Sequence, residues 1–189
     1  DRLCVAGALK KMSVSDSATP LKDKVSAKWR VALNVCIGGD FETACTVDAD
    51  CGGAGRCRRV NLNPTKDPIR ILFADNSPLF SAEIPISPTL WKAKVTSTDD
   101  DDNPATPGKL KEKYTYADKE AVNGPVATMK VSMSDFKGTL DLQVSAKNLD
   151  LAVPPDNASG VVGIMIGSRC FTEESTNCKL SGTKLSCTE

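Results

Sequence analysis

The chain contains no histidine among its 189 residues. That absence removes the Ser-His-Asp and Cys-His nucleophile pairs, the His general base and the His metal ligand. Only a Ser-Lys arrangement or a carboxylate pair stays open to catalysis. Aromatic residues are scarce, at 5%, whereas carbohydrate modules commonly present a flat aromatic platform. Neither sign of charge dominates: Lys+Arg and Asp+Glu both number 24, and the formal net charge is zero. The charges are interspersed along the chain, so neither a basic face for nucleic acid nor a polybasic membrane patch is expected. The longest apolar run, Val161 to Gly167, is far short of a bilayer span. These absences predict no catalytic residue, no resident cofactor, no nucleic-acid partner and no membrane span.

Cysteine is what the chain has in excess. Cys4, Cys36, Cys45, Cys51, Cys57, Cys170, Cys178 and Cys187 make an even set, which reads as a disulfide framework formed in an oxidising compartment. Zinc sites need closely spaced pairs such as C-x2-C, usually with His. The closest spacing here is C-x5-C, found twice. Spacing does not fix which cysteines pair. The chain begins "DRLC" without Met, as a mature product does once a leader has been removed. The expected location is extracellular, or the surface of a bacterium.

Hydrophobic periodicity is two residues almost everywhere. From Val25 to Ile37 the odd positions are apolar, and the even ones are mainly Ser26, Lys28, Arg30 and Asn34. A strand with one buried face requires this alternation. Shorter alternating runs follow at 69–73, 82–86, 91–96, 129–133, 140–146, 149–153 and 161–166, separated by Pro, Gly, Asn and Asp turns. No segment carries a sustained 3.6-residue stripe. The expected fold is all-β, an antiparallel β-sandwich of jelly-roll or Ig-like type. Pro85 cannot donate to a ladder and so belongs on an edge or at a bulge.

The chain also matches itself. Met12 to Lys28 aligns without gaps on Val131 to Lys147, with Ser13/Ser132, Ser15/Ser134, Asp16/Asp135, Leu21/Leu140, Val25/Val144, Ser26/Ser145, Ala27/Ala146 and Lys28/Lys147 identical. An internal duplication of a hairpin followed by a long strand is the reading, within one domain spanning 1–189. Its two related units cover about 1–40 plus 61–110, and 111–189. The cysteine-rich segment 41–60 is then an insertion after the first long strand.

Three stretches together resemble a family. They are the "SD…L…VSAKW" opening (Ser15 to Trp29), Asp67 to Lys94, and "YTYADKEAVNGPVATMKVS" (Tyr114 to Ser132) followed by "LDLAVP" and "IGSRCF". This order is similar to that of uncharacterised secreted, cysteine-containing β-sandwich domains of myxobacterial type. Residues 41–60 depart from that pattern and look like the short cysteine knobs of exported proteins from the same bacteria. The resemblance implies a compartment and a fold, and no activity.

Candidate sites are few. In "CTVDADCGGAGRC" (Cys45 to Cys57), Asp48 and Asp50 are calcium candidates, since calcium takes six to eight oxygens. No Glu closes the loop, and turn-forming Asp in a disulfide-stapled knob is the stronger reading. Cys36 is expected to tether this knob. Asp99, Asp100, Asp101 and Asp102 are a second calcium candidate, against the reading of a solvated, self-repelling loop. Asn157 in "NAS" matches an N-glycosylation pattern. Trp29 and Trp91 alternate with apolar neighbours and are expected in the core. The expected function is an exported structural or adhesive protein, a subunit of a fibre, filament or other surface assembly. It would self-associate through strand edges or the N-terminal segment. The alternative is a non-catalytic module binding calcium, glycan or protein.

Overall fold

The structure, a computed structural model, describes residues 4–37, 43–53, 55–75, 77–87, 89–96, 110–120, 122–135 and 137–189. Strands dominate it: β1 (Val5–Ser15), β2 (Asp23–Ala32), β3 (Asn34–Ile37), β4 (Arg56–Arg59), β5 (Ile69–Ala74), β6 (Pro78–Ile84) and β7 (Trp91–Thr96). The second half supplies β8 (Lys111–Ala117), β9 (Val126–Ser134), β10 (Thr139–Leu149), β11 (Gly160–Ile166), β12 (Arg169–Ser175), β13 (Cys178–Ser181) and β14 (Lys184–Thr188). Among the described residues the one helical turn is a 3-10 segment at Asp48–Cys51.

The fold is all-β, as the alternation requires, but it is not two facing antiparallel sheets. One mixed sheet runs β6-β5-β11-β12-β1-β2-β10-β9-β8-β7 and curls into a half-barrel. β1 turns the sheet. Its start pairs in parallel with β12, Val5 opposite Phe171. Its end pairs antiparallel with β14, Met12 opposite Cys187. Along its other side β2 follows it from Gly7 to Ser15. β13 completes the strand set by pairing with β14. Where β1 passes from one partner to the other, the Gly7 N–H donates to Glu173 Oε2 at 2.8 Å. A Cβ on Gly7 would lie 2.3 Å from Val31 Cγ1 and 2.5 Å from the Arg30 carbonyl oxygen, so only glycine fits this corner.

A single core fills the curl, with Trp29, Tyr116, Phe73 and Phe171 among its largest fully buried side chains. Trp91 is buried as well and stacks on Tyr116, ring centroids 5.3 Å apart. Two sequence-expected strands differ. The run Val25–Ile37 breaks at Leu33, whose N–H donates to the Gly138 carbonyl and whose carbonyl accepts from Val60. β3 leaves the large sheet there and pairs with β4, with a single bridge from Val35 to Ala44 on its other side. The apolar phase continues through the bend, with Val31, Leu33 and Val35 all buried, so alternation alone conceals it. The run 149–153 is not a strand either. β10 stops at Leu149, and the next turn is held because the buried Asp23 carboxylate accepts the Leu151 N–H at 2.7 Å.

The two self-similar segments form the end of hairpin β1–β2 and of hairpin β9–β10. They meet where β2 pairs with β10: Ser26 faces Ser145, Val25 faces Ala146 and Ala27 faces Val144. The local geometry is therefore two-fold about Ser26 and Ser145. The turns differ, because Asp16 to Asp23 separate the paired Ser15 and Lys24, and only Asp135 to Gly138 separate Ser134 and Thr139.

All eight cysteines pair: Cys4–Cys170, Cys36–Cys51, Cys45–Cys57 and Cys178–Cys187. The first bridges 166 residues of sequence, the last only 9. Constraint of the unfolded chain grows with loop length. We therefore expect removal of Cys4–Cys170 by paired Ser substitutions to cost about 5 kcal/mol, against about 2.5 kcal/mol for Cys178–Cys187. Urea unfolding of the two double variants checks the order. Gly7→Ala is expected to lower the same midpoint through its clash with β2.

Candidate functional site

Register divides the sheet from β1 to β7 into rows of side chains. Trp91, Tyr116, Met129, Val144, Ala27, Met12 and Cys187 make one row, and every member is buried. The next row along the strands points outward: Lys92, Thr115, Lys130, Gln143, Lys28, Lys11 and Thr188. Lys92, Lys130, Lys28 and Lys11 in it are all exposed. Beyond the buried row lies an outward row of hydroxyls: Thr128, Ser145, Ser26, Ser13 and Ser186 cross five adjacent strands. On the other side of the lysine row, past the core row of Tyr114, Val131, Leu142 and Trp29, come Lys94, Lys113, Ser132, Asp141 and Arg30.

The charge on this face is one-sided. Asp141 is the one carboxylate in these three outward rows, and Arg30 occupies it in a two-pronged contact, Nε–Oδ1 2.7 Å and Nη2–Oδ2 3.1 Å. Lys28, Lys92, Lys94, Lys111, Lys113 and Lys130 make no ion pair among the described residues. Between them the face dips into a recess of about 240 Å³ lined by Lys28, Lys111, Lys113, Lys130, Asp141 and Gln143. The interspersed charges of the sequence are thus gathered on one surface. The signal was present in the chain, because Lys24, Lys28 and Arg30, Lys92 and Lys94, and Lys111 and Lys113 all fall on the even-spaced polar phase of their strands. Net charge conceals it, because carboxylates elsewhere balance the sum.

No protein-family model, curated protein or solved structure matches this chain. Nothing in those comparisons bears on the likeness to secreted myxobacterial domains.

The cysteine-rich knob is built differently. Cys36 on β3 holds Cys51, and Cys45 holds Cys57. The sulfurs of Cys36, Cys45 and Cys51 lie within 4.8 Å of one another, since the two bridges sit side by side. They are bonded as disulfides rather than standing as the thiolates that bind metals. Asp50 Oδ2 accepts the Thr46 and Val47 N–H groups at 2.7 and 3.0 Å and the Thr46 hydroxyl at 2.8 Å. Asp48 accepts the Cys57 N–H at 2.8 Å and faces Arg56 and Arg58. Both carboxylates are therefore engaged in closing the knob. The acidic run Asp99, Asp100, Asp101 and Asp102 lies outside the described residues.

Other carboxylates are dispersed. Glu83, on the edge strand β6, pairs with Arg70, and Asp118 accepts the Asn123 N–H at 2.7 Å. Glu112 and Asp135 grip Arg59 of β4, with Tyr114 donating to Glu112. That cluster clamps the β3–β4 ribbon onto the large sheet. Buried Asp75 accepts the Asp156 N–H at 2.8 Å and the Asn157 N–H at 3.3 Å, while the Ser159 hydroxyl donates to the Asp75 carbonyl. Asn157 is thereby fixed in the crossing from β10 to β11. No described helix is long and apolar enough to cross a membrane.

The hydrogen bonds from Thr46 and Val47 hold the Asp50 carboxyl below its ordinary pKa, and those of the Asn123 turn do the same for Asp118. A depressed folded value means stability that is complete above the unfolded pKa and lost as pH falls through the folded one. Thermal melts between neutral and acid pH should fall off below about pH 4. Asp50→Asn should flatten that acid limb; an unchanged limb would remove Asp50 from the explanation.

Proposed function

We propose that this chain is an exported, non-catalytic adhesive module, acting at a bacterial surface or in extracellular material, and that it adheres through the lysine-bearing face. The observation that carries this reading is the face itself: free ammonium groups in register on a broad sheet, in a chain whose net charge is zero. Four disulfides support an oxidising compartment. They also make a cross-linked scaffold suited to durable display. The matching hairpins β1–β2 and β9–β10 favour a duplicated β unit at the centre of that face.

A second reading, assembly into a fibre or filament, rests on the open ends of the half-barrel. β6 and β7 each have one partner, so both present an unpaired edge. Strand addition at such an edge is a recognised route to association.

Above its isoelectric point near 6.5 the whole molecule is weakly anionic, so retention by an anionic matrix must come from a patch. At about pH 7.5 and low salt we expect the protein to be held by a sulfonate cation exchanger and released by about 0.2 M salt. Lys28→Gln/Lys113→Gln/Lys130→Gln should pass straight through. Wild-type protein appearing in the flow-through would sink the adhesive-face reading.

A further inference from the structure

We infer that the ligand of this face is a linear acidic polysaccharide, a polyuronate, lying across the strands with its carboxylates on the lysine row and its hydroxyls on the serine-threonine row. The inference deepens the adhesive reading above and rests on it.

The spacing of the rows carries it. Lys28, Lys130 and Lys92 occupy every second strand, with Gln143 and Thr115 between them. Strands lie about 4.8 Å apart, so these ammonium-bearing positions recur at about 9.6 Å. A ribbon-like polyuronate carries one carboxylate per sugar on alternating sides. One side of it therefore presents charge once per two sugars, a repeat of the same order. The hydroxyl row runs parallel, two residues and so one outward position along each strand, at about 6.7 Å. A sugar chain seated on the lysines places its ring hydroxyls beside those Ser and Thr side chains. The chemistry is thus paired: point charges for carboxylates, hydroxyls for hydroxyls.

Nucleic acid fits less well. Single strands are bound on stacking aromatics, but Trp29, Trp91, Tyr114 and Tyr116 all belong to the inward rows and are buried. Two-pronged phosphate recognition is the province of arginine, and Arg30 in these rows is already committed to Asp141. The free cations are lysines, which act as single points of charge.

The test is a binding titration of the intact, disulfide-bonded protein with alginate oligomers, neutral dextran and duplex DNA at two salt concentrations. Alginate is expected to bind and dextran not to bind. Lys28→Gln/Lys130→Gln should weaken alginate about ten-fold or more, with thermal stability unchanged. Ser26→Ala/Ser145→Ala should weaken alginate several-fold while leaving retention on the sulfonate exchanger intact, which separates hydroxyl recognition from bare charge. DNA binding as tight as alginate would overturn the polysaccharide and leave the adhesive face standing. Failure of every polyanion to bind would overturn both. A Ser26→Ala/Ser145→Ala variant that binds alginate like the wild type would also overturn the polyuronate seat.

Discussion

Register between paired strands is the constraint on which this molecule rests. From β1 to β7 the paired strands hold buried rows and outward rows apart, with irregularities at Leu9/Lys11, Lys147/Leu149 and Ser145/Ala146. A one-residue slip of any strand would move its apolar set into water and its lysines into the core. The same register that closes the core therefore sets the spacing of charge outside. Trp29 and Lys28 are neighbours in sequence. One is fully buried in the core and the other stands in the lysine row.

The two signs of charge have different employment. Most of the described cations stand on strands, where alternation exposes them. Many carboxylates are at chain reversals, where they accept backbone N–H groups: Asp23 at Ser17 and Leu151, Asp75 at Asp156 and Asn157, Asp50 at Thr46 and Val47, Asp118 at Asn123. Turns leave such groups without a ladder partner, and a carboxylate satisfies two or three at once. A chain of zero net charge can in this way carry an outer face on which lysines outnumber carboxylates.

Much of this was legible in the sequence, for stated reasons. Alternation gave the all-β class and the inward positions of Trp29 and Trp91, and an even cysteine count without histidine gave disulfides. The bend at Leu33 was illegible because the apolar phase runs through it. The parallel pairing of β1 with β12 was illegible because strand partners far apart in sequence leave no local trace; only Gly7, too crowded for any side chain, marks the corner. The lysine face was legible in principle. Each strand carries its part of the pattern, but summing charge over the chain cancels it, whereas summing over one face does not.

The edge strand β7 joins the two proposed behaviours and weighs one against the other. Its outward residues Lys92 and Lys94 end the cation rows. Lysines on an edge strand also oppose pairing with another copy, since like charges would meet across the new ladder. The opposite edge, β6, opens with Pro78 and is followed by Pro85, which cannot donate to a ladder. The side chains that make the outer face cationic thus raise the cost of strand addition at β7, and prolines interrupt it at β6. Adhesion through the face and polymerisation through the edges draw on opposed features of the same strands, and the residues present favour the face.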